Sequence, residues 1–435
     1  MFTNRKLVSA SVLALTTSLS STPADAQSIV ASVFDTVVPF VYDQGRNISV
    51  MDRQRLDYDP IGLQLGDFTV LPSIEAATSY SNNVYQTSTA KVSDAFVTVK
   101  PMIKLQSDWQ TNSLNVVASG NFVRHFKETA RDEDGWSFGA NSRISIDAYE
   151  SVGVNARTSR YYEDQFVGAP QGNLKSPVSA QSTSGAANLD VQMADARAVI
   201  AGDFTHLAYN PVTSLTNVSL SESERNRDIG RIIGHLEYRV SPDTMAFIES
   251  VGTLTSYQHN LAGGQLNRDS KEIRAEAGVS LDLAGKIRGN VALGYIDRKY
   301  DAPIYQGISG LSLNARVEFF PTGLTSVTFA ARRDIEDAVF VGAGGFFNNG
   351  LTIRVDHELY RNILLNVAVD YEYDKYGQID AHDQILRTSG GVQYMLDNLI
   401  ELKASVNYGE RWSTTPLIGG SLGEIRGQIG IILHR

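Results

Sequence analysis

The stretch Leu399-Ile400-Glu401-Leu402-Lys403-Ala404-Ser405-Val406-Asn407-Tyr408-Gly409-Glu410-Arg411-Trp412 decides the fold once it is written in two alternate rows. Ile400, Leu402, Ala404, Val406 and Tyr408 fall in one row, and Glu401, Lys403, Ser405, Asn407 and Arg411 in the other. A side-chain period of two belongs to an extended strand whose faces meet different surroundings, here oil and water. The alternation returns in segment after segment to the last residue. It is sustained for about 10 to 14 residues at a time, the span of a tilted membrane strand, whereas sandwich strands run to about five or six. The chain reads as all-β, a transmembrane antiparallel β-barrel.

From Phe68 onward eighteen segments carry strand character, the first centred near residue 74 and the last near 429. Short polar turns fall at Gln106 to Asn112, Asp147 to Ser151, Met193 to Arg197, Val240 to Thr244, Leu283 to Ile287, Phe320 to Thr325, Leu359 to Asn362 and Leu396 to Asn398. They alternate with nine longer connections, among them Tyr161 to Ala180 and Tyr209 to Arg227. Outer-membrane barrels have short periplasmic turns and longer external loops, so this alternation places both ends of the barrel on the periplasmic side and makes the strand number even. Eighteen strands are expected, with sixteen as the alternative if weak segments such as Ala180 to Gln192 are not strands. Lipid offers no partner for backbone N–H and C=O groups, so a membrane sheet of this size must close on itself and leave an aqueous lumen.

The two faces differ sharply. Ile273, Ala275, Ala277, Val279 and Leu281, or Leu311, Leu313, Ala315, Val317 and Phe319, form the face expected toward lipid. Tyr238, Tyr295, Phe319, Tyr371, Tyr373, Tyr394, Tyr408 and Trp412 are candidates for the aromatic girdles of a membrane interface. The opposite face carries Arg231, Glu237, Arg239, Glu272, Arg274, Glu276, Arg288, Arg298, Arg316, Glu318, Arg332, Arg354, Asp356, Glu358, Asp370, Glu372, Glu401, Lys403, Glu424 and Arg426. Dry burial of so many charges is prohibitive without partners, so these residues are expected to line a wet lumen with cross-strand ion pairs. They either select a solute or merely solvate and staple the wall.

The first residues read as a secretory signal: Arg5 and Lys6, a run of apolar and small residues from Leu7 to Leu19, and Ala24-Asp25-Ala26 as a small-x-small cleavage site. Residues 1 to 26 are thus expected to be removed, 27 to 67 to form an N-terminal periplasmic segment and 68 to 435 the barrel. The net charge of -10 loses two positive charges and one negative on cleavage and becomes -11, which argues against nucleic acid as a partner. The chain has no cysteine, which removes disulfides and thiolate metal sites from consideration. The cluster Ile29, Val30, Val33, Phe34, Val37, Val38, Phe40 and Val41 within Ser28 to Tyr42 is expected to plug or dock at the periplasmic mouth, with a plain tether as the alternative.

Catalytic and metal motifs are missing from this pattern. The seven histidines show no metal spacing, and no GxSxG, P-loop or GxGxxG motif occurs in strand-to-helix context. In Asp356-His357-Glu358 alternation sends the histidine to the face opposite its neighbours, so the three cannot converge. Gly342-Ala343-Gly344-Gly345 falls in an expected external loop, where glycine serves flexibility or close packing. No enzyme activity, cofactor or metal is expected.

One set of residues is more specific. Val50-Met51-Asp52-Arg53-Gln54-Arg55-Leu56-Asp57-Tyr58-Asp59-Pro60-Ile61-Gly62, then Gly66-Asp67-Phe68, Pro72 and Tyr80-Ser81-Asn82-Asn83-Val84-Tyr85, resemble the entry segment of the putative β-barrel porin 2 family. Leu293-Gly294-Tyr295, Tyr300-Asp301-Ala302-Pro303, Ile308-Ser309-Gly310-Leu311, Asp334-Ile335-Glu336-Asp337 and Asp356-His357-Glu358-Leu359-Tyr360-Arg361-Asn362 extend the resemblance along the chain. It implies an outer-membrane barrel of a Gram-negative bacterium and, from the association of many members with capsule or exopolysaccharide production, a conduit for polysaccharide export. The alternatives are a diffusion porin for small hydrophilic solutes and a closed barrel serving as a structural or adhesion platform. Expected partners are outer-membrane lipids, the barrel insertion machinery, periplasmic polysaccharide export or synthesis proteins, and the polysaccharide or small solutes themselves.

Overall fold

Wherever apolar and polar residues alternate, the computed structural model forms a strand. It describes residues 48–164, 166, 174–261, 264–283, 285–339, 342–415 and 420–435. The proposed signal segment and the Ser28 to Tyr42 cluster lie outside the described residues. Eighteen long strands run in chain order: β1 Phe68–Ser81, β2 Asp94–Ser107, β3 Ser113–His125, β4 Glu133–Ser145, β5 Glu150–Tyr162, β6 Ser179–Gln192, β7 Ala196–Tyr209, β8 Arg227–Ser241 and β9 Thr244–Tyr257. They continue as β10 Ser270–Leu283, β11 Ile287–Tyr300, β12 Ile308–Thr322, β13 Thr325–Asp337, β14 Gly345–Tyr360, β15 Ile363–Tyr376, β16 His382–Met395, β17 Ile400–Ser413 and β18 Leu422–His434.

Each strand pairs antiparallel with its sequence neighbours, and β1 pairs with β18, so the sheet closes. The weak segment at Ala180 to Gln192 is a full strand paired on both sides, which settles the count at eighteen. Register shifts at Arg239/Ser241, Phe319/Thr322 and Glu358/Tyr360 all sit beside short turns, where an extra residue adjusts the strand twist to a tight connection. Among the described residues no helix is long and apolar enough to cross a membrane. The chain crosses with strands.

The outer face is apolar and exposed: Ile232, Ile273, Leu293, Leu311, Val406 and Ile429 all project from it. Of the girdle candidates, Tyr238, Phe319 and Tyr394 lie toward the short-turn end, and Tyr295, Tyr371, Tyr373, Tyr408 and Trp412 lie in the long-loop half. Such rings favour the lipid headgroup level.

One part of the wall departs from a simple cylinder. β12 and β13 pair only from Leu313 and Arg333 toward their turn, leaving Ile308 to Ser312 and Asp334 to Asp337 unpaired with each other. There the outward-parity side chains Ile335 and Phe347 pack against Ile296 and Ile308, which point inward from β11 and β12. The loop end of the β13–β14 hairpin is therefore tucked inside the barrel behind β11 and β12. Arg333 Nε donates to the freed carbonyl of Leu311 at 3.0 Å, and Arg298 Nη2 reaches the Ile335 carbonyl at 2.8 Å. At the tip, an added Cβ on Gly344 would lie 2.7 Å from the Tyr300 ring, so glycine there serves close packing.

Candidate functional site

The interior begins with the alternation that builds the wall, and most of the charges expected there stand in pairs. Arg231 Nε lies 3.1 Å from Asp203, Arg288 Nε 2.6 Å from Glu318, Arg298 Nη2 2.6 Å from Glu272 and Arg387 Nη2 2.5 Å from Glu372. Arg274 approaches Glu249 at 3.7 Å and Glu276 at 3.8 Å, while Arg332 approaches Glu336 and Glu372 at 3.7 Å each. Along single strands, Arg354 meets Asp356 at 2.9 Å, Lys403 meets Glu401 at 3.2 Å and Arg426 meets Glu424 at 2.8 Å. Arg316 reaches Glu318 at 3.4 Å while remaining largely exposed, and Asp370 accepts from Thr352 Oγ1 at 2.7 Å.

Glu237 faces Arg197 at 3.5 Å and the His235 ring at 3.0 Å, and the other ring nitrogen of His235 lies 3.0 Å from Glu249. Alternation alone gave no sign that this histidine bridges two carboxylates. Arg239 is exposed at the short-turn end and makes no ion pair among the described residues. His357 lies on the other face from Asp356 and Glu358, its Nδ1 3.0 Å from Thr325 Oγ1.

Among the described residues, three segments enter this interior. At the short-turn mouth, Val50 of a single 3-10 turn, Val50–Asp52, is wholly buried against Leu364 and Met395, and its backbone N–H donates to Ser326 at 3.2 Å. Arg55 holds the same segment, donating to Glu358 at 3.0 Å and to the Val50 carbonyl at 2.7 Å. At the long-loop end, the tip of the β13–β14 hairpin is tied to the adjoining wall of β8, β9 and β11. Asp337 accepts from Tyr257 Oη at 2.9 Å and Arg298 Nη1 at 2.8 Å, with Arg227 Nε at 3.5 Å, and Arg268 donates to the Ala338 carbonyl.

The third is the β5–β6 connection. Phe166 crosses to β16, β17 and β18, where it is buried with Ile385 and Leu422 and lies over Gly409. Asp164 Oδ1 accepts the Phe166 N–H at 2.9 Å, and Arg225 Nη2 anchors Glu163 at 2.6 Å. Burial pushes the Asp164 carboxyl above the usual carboxylate range, reinforced by Glu424 and opposed by Arg426, by the Phe166 N–H it accepts from and by Arg387. A carboxyl raised in the seated loop stabilises that state below the ordinary aspartate value of about 3.9, and the stabilisation is lost as pH rises through the raised value. Acidification is thus expected to hold Phe166 on the wall and lower conductance relative to neutral pH, and Asp164→Asn to flatten the profile. A profile unchanged by Asp164→Asn would contradict this.

Gly409 gives a direct handle on the same contact. An added Cβ would lie 2.8 Å from the Phe166 ring, and the ring end can move where the wall cannot. Gly409→Val is expected to displace Phe166 and raise single-channel conductance with little loss of barrel stability. Unchanged conductance would show that Phe166 does not narrow the passage.

The wall of β2 to β5 is of another kind. Its inward positions form cross-strand rows: Met102, Ser119, Ser137 and Ser159; then Lys104, Val117, Gly139 and Arg157; then Gln106, Asn115, Asn141 and Asn155. Asn115 Nδ2 donates to Asn141 Oδ1 at 3.1 Å. Away from Asp94 and Glu133 at the loop ends, these strands present no inward carboxylate. In the sequence none of this wall stands out as lumen-lining, because its inward face is written mostly in serine and amide side chains, without the carboxylates that mark the other strands.

The family model described as putative beta-barrel porin 2 matches residues 56–433. The curated proteins yielded no match. Among solved structures, the outer membrane protein OpdK from Pseudomonas aeruginosa is 10% identical, over 84% of this chain and 99% of that one, with a TM-score of 0.45. OccK2 (OpdF) from Pseudomonas aeruginosa is 10% identical over 85% and 98%, with a TM-score of 0.46. A BenF-like porin from Pseudomonas fluorescens Pf-5 is 11% identical over 85% and 100%, with a TM-score of 0.45. With the family model covering the barrel from its entry segment to its last strand, the chain belongs to the putative β-barrel porin 2 family.

Proposed function

We propose that this barrel is an outer-membrane diffusion channel for small hydrophilic solutes. The observation that carries this reading is the triple narrowing of the interior by Val50, by Phe166 and by the Asp337 hairpin tip, each held by buried contacts to the wall. A polymer conduit needs a clear bore along its whole length, so these insertions favour small solutes over export of capsular or exopolysaccharide. The paired charges keep the remaining passage hydrated while holding the wall in shape. The residues from Arg231 to Arg426 named above act mainly as wall staples in this account, since nearly all of them have an opposite charge at hand.

Liposomes carrying the purified protein, challenged with sugars of graded size, test the reading. Swelling with monosaccharides but not with long oligosaccharides is the expected result. Loss of extracellular polymer from a deletion strain, with retention inside the cell, would instead restore export. No swelling with any solute would favour a structural platform.

A further inference from the structure

The charges of this interior are distributed unevenly, and the exception lies on β2 to β5. Around β7 to β18 nearly every inward cation has a carboxylate within ion-pair distance. Lys104 does not. It is half-buried, points inward between the outward Ile103, which is exposed, and the outward Leu105, which is half-buried, and has no hydrogen bond or ion pair among the described residues. Arg143, four residues beyond the same register on β4, gives its Nε to Ser151 at 3.2 Å and likewise faces no carboxylate. A cation left half-buried without a counter-charge is costly in a fold that pairs almost every other one. A bound anion removes that cost.

The register shapes the place where such an anion would sit. Lys104 and Arg157 end one cross-strand row, separated only by Val117 and Gly139. Three interstrand steps put their backbones about 14 Å apart on a concave wall, with little side-chain bulk between. The row on one side is serine and the row on the other is amide, both able to donate and accept hydrogen bonds. We propose that the β2 to β5 wall is a binding face for a small carboxylate carrying several hydroxyl groups, the carboxylate held at the Lys104 and Arg157 row and the hydroxyls at the serine and amide rows.

This inference rests on the channel reading, and the test separates the two. The full-length barrel in planar bilayers is measured for anion-over-cation selectivity from the reversal potential across a KCl gradient, and for current block by gluconate and by glucose. Wild type is expected to prefer anions and to be blocked by gluconate at much lower concentration than by glucose. Lys104→Glu is expected to invert the selectivity and to weaken gluconate block by about tenfold, the size expected when a charge-assisted contact is lost. Lys104→Arg should retain both properties, and Lys299→Glu, a charge change on the outward face of β11, should alter neither. A conducting channel whose selectivity and gluconate block survive Lys104→Glu would overturn the binding face while leaving the channel reading intact. Absence of any conductance in the wild-type protein would overturn both.

Discussion

Deletion of residues 28 to 59 is expected to raise single-channel conductance roughly twofold or more, because it empties the short-turn mouth of its one inserted segment among the described residues. The seat is well defined. Val50 is wholly buried between Leu364 of β15 and Met395 of β16, Ser49 Oγ lies 3.3 Å from Ser326 Oγ, and Arg55 completes the attachment to Glu358 of β14. Every strand contact in the barrel lies outside the deleted stretch, since β1 begins at Phe68. Val50→Asp reaches the same end without truncation, for it forces a carboxylate into an apolar seat and costs several kcal/mol unless the segment leaves. Both variants should conduct alike. Unaltered conductance in a folded barrel would mean that the segment occupies the mouth without narrowing the passage.

Asp337→Ala carries the second large effect. This carboxylate gathers Tyr257 from β9, Arg298 from β11 and Arg227 from β8 onto the tip of a hairpin that has left its place in the wall. Its loss leaves buried guanidinium groups short of a partner, which costs about 3 to 5 kcal/mol when one member of a buried pair is removed. The expected result is a lower midpoint in heat-dependent gel mobility, together with noisier and larger currents as the hairpin tip loosens. Asp337→Glu should recover part of both. An unshifted midpoint would show that the packing of Ile296, Ile308, Ile335 and Phe347 holds the hairpin by itself.

These features differ in how openly the sequence displays them. The strand count, the eight short turns and the start of the barrel at Phe68 follow from a period of two interrupted by polar turns, a signal repeated along most of the chain. The inward hairpin leaves no such trace. Asp334-Ile335-Glu336-Asp337 keeps the parity of β13, and only the missing pairing with β12 reveals that its outward side chains face another strand's interior. The inserted Phe166 lies in a connection with no period, so nothing local distinguishes it from a solvated loop. The Lys104 wall was hidden for the opposite reason: serine and asparagine at every second position look like a solvated face, and one unpaired lysine in their midst draws no attention. The register supplied what was missing, by showing that Lys104 and Arg157 share a row. A comparison of inward charge between the two halves of the chain would have pointed there.

The most direct test of the account is the single-channel conductance of the purified, full-length protein beside that of Gly409→Val and of the barrel lacking residues 28 to 59. Discrete conductance in the wild type, raised in both variants, is the result expected of a narrowed aqueous channel. A wild-type barrel that is folded yet silent, with both variants equally silent, would contradict it.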